Sequence, residues 1–129
     1  DFTVTTNGIL LTEDIVDFCY KHEVMPLLSF DGVPAVQNYQ RPLLNGSSFN
    51  TVRDNIPYLL LRFPDTTMRA TVTKASIPYL YDTVVMAQEF GFKNITFCEN
   101  AYETWTSDEL FECEKQFRDI GYFIYKQFS

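Results

Sequence analysis

The chain alternates four times between a short strand-like run and a longer segment whose apolar residues recur at helical spacing. The clearest run covers residues 24–30 (VMPLLSF), which are mostly apolar and are followed at once by Asp31 and Gly32. A short apolar run bounded by turn residues indicates a strand buried on both faces, as in a parallel sheet. Strict alternation of strands and helices requires parallel strands with right-handed crossovers. We therefore predict one α/β domain over residues 1–129, built on a parallel sheet of four βα units.

The other strands are predicted at residues 2–6, 68–73 and 94–97, each followed by a helix. Candidate helix N-caps are Thr12, Ser47 or Ser48, Ser76 and Thr106, the last in capping-box spacing with Glu109. Residues 33–47 are predicted to form a loop, which is long for a connection between a strand and a helix. Pro57 lies inside the next helical stripe, and it predicts a kink or an early end of that helix.

Polar side chains gather where the predicted strands end. Asn7 follows the first strand, Ser29 and Asp31 end the second, and Thr73 ends the third. Because the carboxyl ends of parallel strands meet at one edge of a sheet, these groups are expected to share a pocket. They could bind a ribose or an amino acid, and Arg41 in the following loop could hold a carboxylate with its planar fork. The alternative is that the same groups cap strand ends and satisfy turn backbone.

Composition and motifs exclude several classes of function. The formal net charge of −7 repels phosphate backbones, which argues against nucleic-acid binding. No apolar run approaches the roughly 18 residues of a membrane-spanning helix, so no membrane partner is expected. The sequence has no Walker loop, no GxGxxG and no Ser-His-Asp set, and no catalytic residue is predicted from it.

The cysteines Cys19, Cys98 and Cys113 are odd in number and widely spaced, with no CxxC pair and no histidine at zinc spacing. No metal site is therefore predicted. Cys19 and Cys113 fall on apolar helix faces and are expected to be core thiols, whereas Cys98 ends the fourth strand and could face the pocket. Unpaired thiols fit a reducing compartment, and the predicted location is the cytoplasm.

Four segments, in order, resemble the radical S-adenosylmethionine (SAM) enzymes. The segments are residues 5–11 (TTNGILL), residues 28–32 (LSFDG) with Arg41 downstream, residues 69–73 (RATVT) and residues 89–95 (EFGFKNI). They are similar to the family's TNGxLL strand end, its SxDG…R segment, its next strand and its ExGxxxI strand entry. The nearest branch is that of sulfatase maturases and peptide-modifying enzymes, whose members carry a C-terminal SPASM extension.

The resemblance implies a fold and a set of roles. The fold is an incomplete, TIM-like (βα)6 barrel fragment, to which this chain contributes the third to sixth units. Ser29 would contact the SAM ribose and Arg41 would hold the SAM carboxylate, while Asn7 and Thr73 would line the pocket. The implied chemistry is reductive cleavage of SAM by a [4Fe–4S] cluster to a 5′-deoxyadenosyl radical, which then takes a hydrogen from a substrate such as a peptide or protein side chain.

The resemblance also implies that parts of the enzyme lie outside this sequence. The CxxxCxxC cluster loop and the GGEP-type segment are expected before Asp1, and auxiliary-cluster cysteines after Ser129. The chain is thus expected to be a fragment truncated at its N-terminus, which alone binds no cofactor and is inactive. Its main partner would be the preceding part of the same protein. An exposed strand edge also favours a homo-oligomer.

Two alternatives remain open at the level of the sequence. The chain could be a complete, non-catalytic α/β binding module, which a reading frame without an upstream CxxxCxxC would favour. It could also be a fragment of another βα-barrel enzyme, for example one that handles a phosphorylated sugar. The lack of a glycine-rich phosphate loop argues against the second of these.

Overall fold

A computed structural model describes residues 2–128, so the two terminal residues of the predicted 1–129 domain lie outside the described part. The strands are β1 (Phe2–Thr6), β2 (Val24–Ser29), β3 (Thr67–Val72) and β4 (Asn94–Glu99). The helices are α1 (Glu13–Lys21), α2 (Pro34–Gln40), α3 (Ser48–Arg62), α4 (Leu80–Phe90) and α5 (Ser107–Gln127), and a 3-10 turn (Ile77–Tyr79) leads into α4. No helix in this part of the chain is long and apolar enough to cross a membrane.

The four strands form one sheet in the order β1-β2-β3-β4, and every neighbouring pair is parallel. The register aligns Thr6 with Leu28, Leu28 with Met68, and Met68 with Ile95. The predicted α/β class and the parallel sheet of four βα units are confirmed. Because all the strands point the same way, their carboxyl ends lie along one edge of the sheet, where the predicted polar residues are found.

The helices bury one face of this sheet. Leu28, Met68 and Ala70 are inaccessible to solvent or nearly so, and they pack with Val52 and Leu59 of α3. The same core contains Val16 of α1, Ile56 of α3 and Met86 and Ala87 of α4. Alternate residues of a strand point to opposite faces, so the residues between these core positions must lie on the other side of the sheet.

That other side, the open face, carries mostly polar side chains. It comprises Thr3, Thr5, Met25, Leu27, Ser29, Arg69, Thr71, Thr96 and Cys98, each placed by strand alternation and register. All of them are exposed or half-buried, and none belongs to the apolar core of the described residues. A strand whose two sides differ in this way offers an apolar side to the helices and a hydrophilic side to a ligand or to solvent.

Three local predictions were wrong. β2 is not buried on both faces, because Met25 is exposed and Leu27 and Ser29 are only half-buried. Residues 33–47 do not form one long loop, because they contain α2, in which Pro34 occupies the first turn and its preset φ suits a helix start. α3 continues through Pro57 to Arg62, which contradicts the early end predicted there as the alternative to a kink. Proline removes one backbone hydrogen bond there, but the burial of Ile56 and Leu59 on either side holds the helix together.

Two of the predicted N-caps, Ser47 and Thr106, agree with the structure, whereas Ser76 makes no side-chain cap. The Ser47 hydroxyl accepts a hydrogen bond from the Asn50 amide at 3.1 Å and so caps α3. Thr106 and Glu109 form the reciprocal capping box of α5, and their hydrogen bonds hold the pKa of Glu109 below its usual value. Gly91 ends α4 in the left-handed conformation, with φ of +100°. Thr12 precedes α1 without a side-chain cap.

Replacement of Gly32 by alanine should destabilise the fold. Gly32 has φ of +149°, and a Cβ at this position would lie 2.5 Å from the Oγ1 atom of buried Thr83. We expect Gly32→Ala to lower the free energy of unfolding by about 3 kcal/mol, because strain and a steric clash add. Urea denaturation measures this.

Gly46→Ala is the matched control for Gly32→Ala. Gly46 also has a positive φ, of +92°, but nothing lies within 4 Å of its added Cβ. We expect Gly46→Ala to lower the free energy of unfolding by about 1 kcal/mol, because only the backbone conformation is unfavourable for alanine. Equal losses for the two variants would mean that Thr83 moves aside freely and that packing behind Gly32 is not tight.

Candidate functional site

A buried carboxylate lies just beyond the carboxyl end of β2. The Asp31 side chain is 2% exposed, and its two oxygens accept hydrogen bonds from three donors. Arg41 donates from Nε to Oδ2 at 2.7 Å and from Nη2 to Oδ1 at 3.3 Å, and the Thr71 amide donates to Oδ1 at 2.9 Å. Asp31 therefore fixes the Arg41 guanidinium and ties β3 to the end of β2, which uses most of its capacity as an acceptor.

α2 supplies a second layer of contacts behind Asp31. The buried Gln37 side chain accepts a hydrogen bond from the Asp31 amide at 2.8 Å and donates one to the Ser48 hydroxyl at 3.4 Å. Gln37 and Arg41 are four residues apart, so a helical turn brings both to the same side of α2. The sequence does not predict a site role for Gln37, because a loop over residues 33–47 implies no helical spacing that would place Gln37 beside Arg41.

Asn38 joins the same layer from the neighbouring position. Its Oδ1 accepts hydrogen bonds from the Ser47 hydroxyl at 2.9 Å and from the Phe49 amide at 3.0 Å. It therefore ties the start of α3 to α2. The hydrogen bonds of buried Gln37 and half-buried Asn38 hold this segment against the start of α3.

Thr73 lies one residue beyond β3 and is held by a separate pair of contacts. Its hydroxyl donates a hydrogen bond to Gln40 Oε1 at 2.6 Å, and Gln40 Nε2 donates to the Thr71 carbonyl at 3.3 Å. The Thr73 hydroxyl also accepts from the Ser76 amide at 3.2 Å. Thr73 thus lies at the predicted edge of the sheet, where it joins β3 to α2.

Asn7 and Arg41 line the same cavity. Ile9 after β1 and several residues between β2 and α3, among them Pro42, complete its lining. The cavity measures about 110 Å³. This is below the roughly 300 Å³ of a typical small-molecule site, so the cavity alone would not enclose a cofactor. Asn7 Oδ1 accepts a hydrogen bond from the Ile9 amide at 3.0 Å, which fixes the side chain in a turn. The structure therefore brings the Asn7 amide and the Arg41 guanidinium to one cavity.

Ser29 lies on the open face, where the register pairs it with Arg69 of β3. Its side chain is half-buried and its hydroxyl has no hydrogen-bond partner among the described residues. The structure thus brings Asn7, Asp31 and Arg41 together at the carboxyl edge, and it keeps Ser29 on the adjoining face of the same sheet. Larger cavities of about 500 Å³ and 310 Å³ lie against α5, away from these residues.

The residues of this chain do not fit an iron–sulfur cluster. Cys19 lies on α1, Cys98 on β4 and Cys113 on α5, and between residues 2 and 128 no three His, Cys, Asp or Glu side chains are grouped to hold a metal ion. Burial raises the pKa of the Cys19 and Cys113 thiols, so both stay protonated near neutral pH. A cluster needs several thiolates at one place, and this chain cannot supply them.

The arrangement is an open parallel α/β sheet with hydrogen-bonded polar side chains at the carboxyl ends of its strands. No model of a known protein family matches the sequence, and no curated protein matches it either. Solved structures do. The chain is similar to native anSMEcpe with bound AdoMet, with a TM-score of 0.77 and 18% identity over 98% of this chain. anSMEcpe is an anaerobic sulfatase-maturating enzyme of the radical SAM class.

Two further structures of anSMEcpe match equally well. The complex of AdoMet and the Cp18Cys peptide has a TM-score of 0.76, and the complex with the Kp18Cys peptide has one of 0.77, both at 18% identity. The chain spans 37% of the length of these proteins. At this level of identity the likeness shows the fold, which is that of part of a βα barrel, and it agrees with the predicted barrel fragment.

Removal of the charge at Asp31 should cost much more stability than removal of an exposed carboxylate. In Asp31→Asn the partly buried Arg41 loses its counterion, and we expect the free energy of unfolding to fall by about 3 kcal/mol. Asp54→Asn is the control, because Asp54 forms an exposed ion pair with Arg53 and should change stability by less than about 0.5 kcal/mol. Urea denaturation at neutral pH compares them, and similar small effects would show that Asp31 is not a structural centre.

Proposed function

We propose that these residues are the C-terminal part of a radical SAM core and that they form one side of the SAM pocket of a larger enzyme. The observation that carries this proposal is the position of Asn7, Asp31 and Arg41 at the carboxyl edge of a sheet whose fold matches AdoMet-bound anSMEcpe. The family's sequence segments fall on the same edge, since the TNG and SFDG segments end β1 and β2.

The contacts suggest a distinct role for each residue of the proposed site. Arg41 uses Nε and Nη2 for Asp31, which leaves the hydrogens of Nη1 for the SAM carboxylate. Asn7 lines the same cavity and would bind the amino-acid end of SAM, while the unpaired hydroxyl of Ser29 would bind the ribose. Asp31 would act as a positioning residue through Arg41, because its own oxygens are occupied. Thr73 would close the β3 side of the pocket.

The surface beside β1 supports a further βα unit in front of this chain. Val4 points to the helix side of the sheet, yet it is 42% exposed, and Phe2 is 74% exposed. Ile15 and Phe18, one turn apart on α1, are also exposed. Exposed apolar residues on an edge strand and on the helix that follows it are covered in a continuing barrel by the preceding strand and helix. The chain's main partner would therefore be the preceding part of the same protein.

The cluster belongs to that preceding part in this proposal, because the cysteines of this chain cannot hold it. The [4Fe–4S] cluster would supply the electron for reductive cleavage of SAM. A peptide or protein would be the substrate, since anSMEcpe has been crystallised with peptides. A SPASM extension and a cytoplasmic location belong to the same proposal, and association of two copies through the β1 edge is the alternative for a chain that lacks the preceding units.

SAM binding by the full-length protein tests the proposal through Arg41. We expect Arg41→Lys to weaken SAM binding on the order of tenfold. Lysine keeps a positive charge beside Asp31, but it lacks the further N–H groups with which a guanidinium can bind Asp31 and the SAM carboxylate at the same time. Binding of S-methyl-5′-thioadenosine, which has no carboxylate, should not change. Isothermal titration calorimetry measures both ligands.

Two further variants complete this experiment. Ser29→Ala should weaken both SAM and S-methyl-5′-thioadenosine, since both carry the ribose. Arg53→Gln, which alters an exposed arginine on α3, should weaken neither. No SAM binding by the wild-type protein, or an equal loss for all three variants, would rule out the proposed pocket.

A further inference from the structure

The open face carries an arginine that has no acidic partner. Arg69 is exposed on β3, and its Nε donates a hydrogen bond to Cys98 Sγ at 3.2 Å. The other arginines of the described chain all form ion pairs, namely Arg41 with Asp31, Arg53 with Asp54, Arg62 with Asp17 and Arg118 with Glu114. On a chain with a net charge of −7, a cation that remains unpaired between residues 2 and 128 marks a place where an anion would be favoured.

The neighbours of Arg69 complement an anion. The register pairs Arg69 with Ser29 on one side and with Thr96 on the other, and adjacent strands lie roughly 4.8 Å apart. Thr71 follows two residues later on the same face. These side chains are hydroxyls, which can donate hydrogen bonds and bring no negative charge that would compete for the guanidinium.

The orientation of Arg69 leaves the Nη end of its guanidinium available for a ligand. The contact with Cys98 uses Nε and holds the side chain toward β4, so both Nη groups remain for a ligand. Two parallel N–H groups match the two oxygens of a carboxylate, a geometry that lysine cannot provide. Arg41 differs from Arg69 in this respect, because its Nε and one Nη already bind Asp31.

This inference rests on the proposed function, because a barrel would turn the open face toward its interior. Enclosing an unpaired guanidinium is strongly unfavourable, so Arg69 would need a counterion there. Ser29, the proposed ribose contact, is the residue of β2 that the register places directly beside Arg69. A group bound to Arg69 would therefore lie beside SAM, in the position of a substrate.

We propose that Arg69 binds a carboxylate of the substrate and that the substrate is consequently an acidic peptide, with a Glu or Asp side chain close to the reacting position. Arg69 is then a specificity residue, and Cys98 is its positioning residue through the Nε–Sγ contact. Arg41 binds the carboxylate of SAM, so each arginine binds a different carboxylate, one from the cofactor and one from the substrate.

Peptide binding by the full-length protein tests this inference. Two pools of fluorescein-labelled decapeptides have random neutral and basic residues around a fixed central residue, which is Glu in one pool and Gln in the other. Fluorescence anisotropy gives the affinity for each pool. We expect the wild-type protein to prefer the Glu pool on the order of tenfold.

Variants of Arg69 identify the group responsible for that preference. Arg69→Gln should abolish the preference and Arg69→Lys should keep part of it, while Arg53→Gln should leave it unchanged. Arg69 is exposed, so these changes should not unfold the protein. Equal affinity of the wild-type protein for the two pools, which is also the outcome if an acid in the preceding units neutralises Arg69, would overturn the inference. A preference that survives in Arg69→Gln would overturn it as well.

SAM titration separates the two possible sources of the carboxylate. Arg69→Gln should bind SAM as the wild-type protein does. If it weakens SAM but spares S-methyl-5′-thioadenosine, Arg69 binds the cofactor's carboxylate and the inference about the substrate is wrong. Failure of the wild-type protein to bind SAM refutes the proposed function instead, whatever the peptide pools show.

Discussion

The buried carboxylate of Asp31 is the interaction on which the candidate site depends. A carboxylate that is almost fully buried is stable only when its oxygens are paired, and here Arg41 and the Thr71 amide pair them. Because the partners come from α2 and β3, one side chain at the end of β2 joins three elements. The same contacts hold the Arg41 guanidinium in one orientation. The hydrogen bonds of Asp31 therefore account both for the rigidity of this sheet edge and for the orientation of Arg41.

The difference between the two faces of the sheet organises the remaining structure. Leu28, Met68 and Ala70 provide the buried side. The other side carries hydroxyls, the Cys98 thiol and the Arg69 guanidinium, with Met25 and Leu27 as its apolar members. A strand buried by helices on both faces would place apolar residues at these alternate positions as well. The polar composition of the open face is instead suited to the interior of a ligand-binding barrel.

The two arginines of this region differ in how far their charge is compensated. Arg41 lies in a bidentate contact with Asp31, so its positive charge is largely compensated and only its remaining N–H groups are available. Arg69 lies one strand from Ser29, and a neutral thiol orients it without compensating its charge. The first is suited to fine positioning of a ligand group. The second is suited to strong selection between charged and neutral ligands.

The sequence by itself determined the alternation of elements, the parallel sheet, the capped starts of α3 and α5 and the placement of Asn7, Ser29 and Thr73 near strand ends. These features are local, since they follow from hydrophobic periodicity and capping residues. Only the tertiary structure decided that Asp31 is a buried partner of Arg41 and not a free ligand group, and that Arg69 remains unpaired. It also decided the course of α2, where Gln37 is buried. The physical reason is that hydrogen bonds between side chains distant in sequence leave no periodic signal, whereas they determine which polar groups remain available to a ligand.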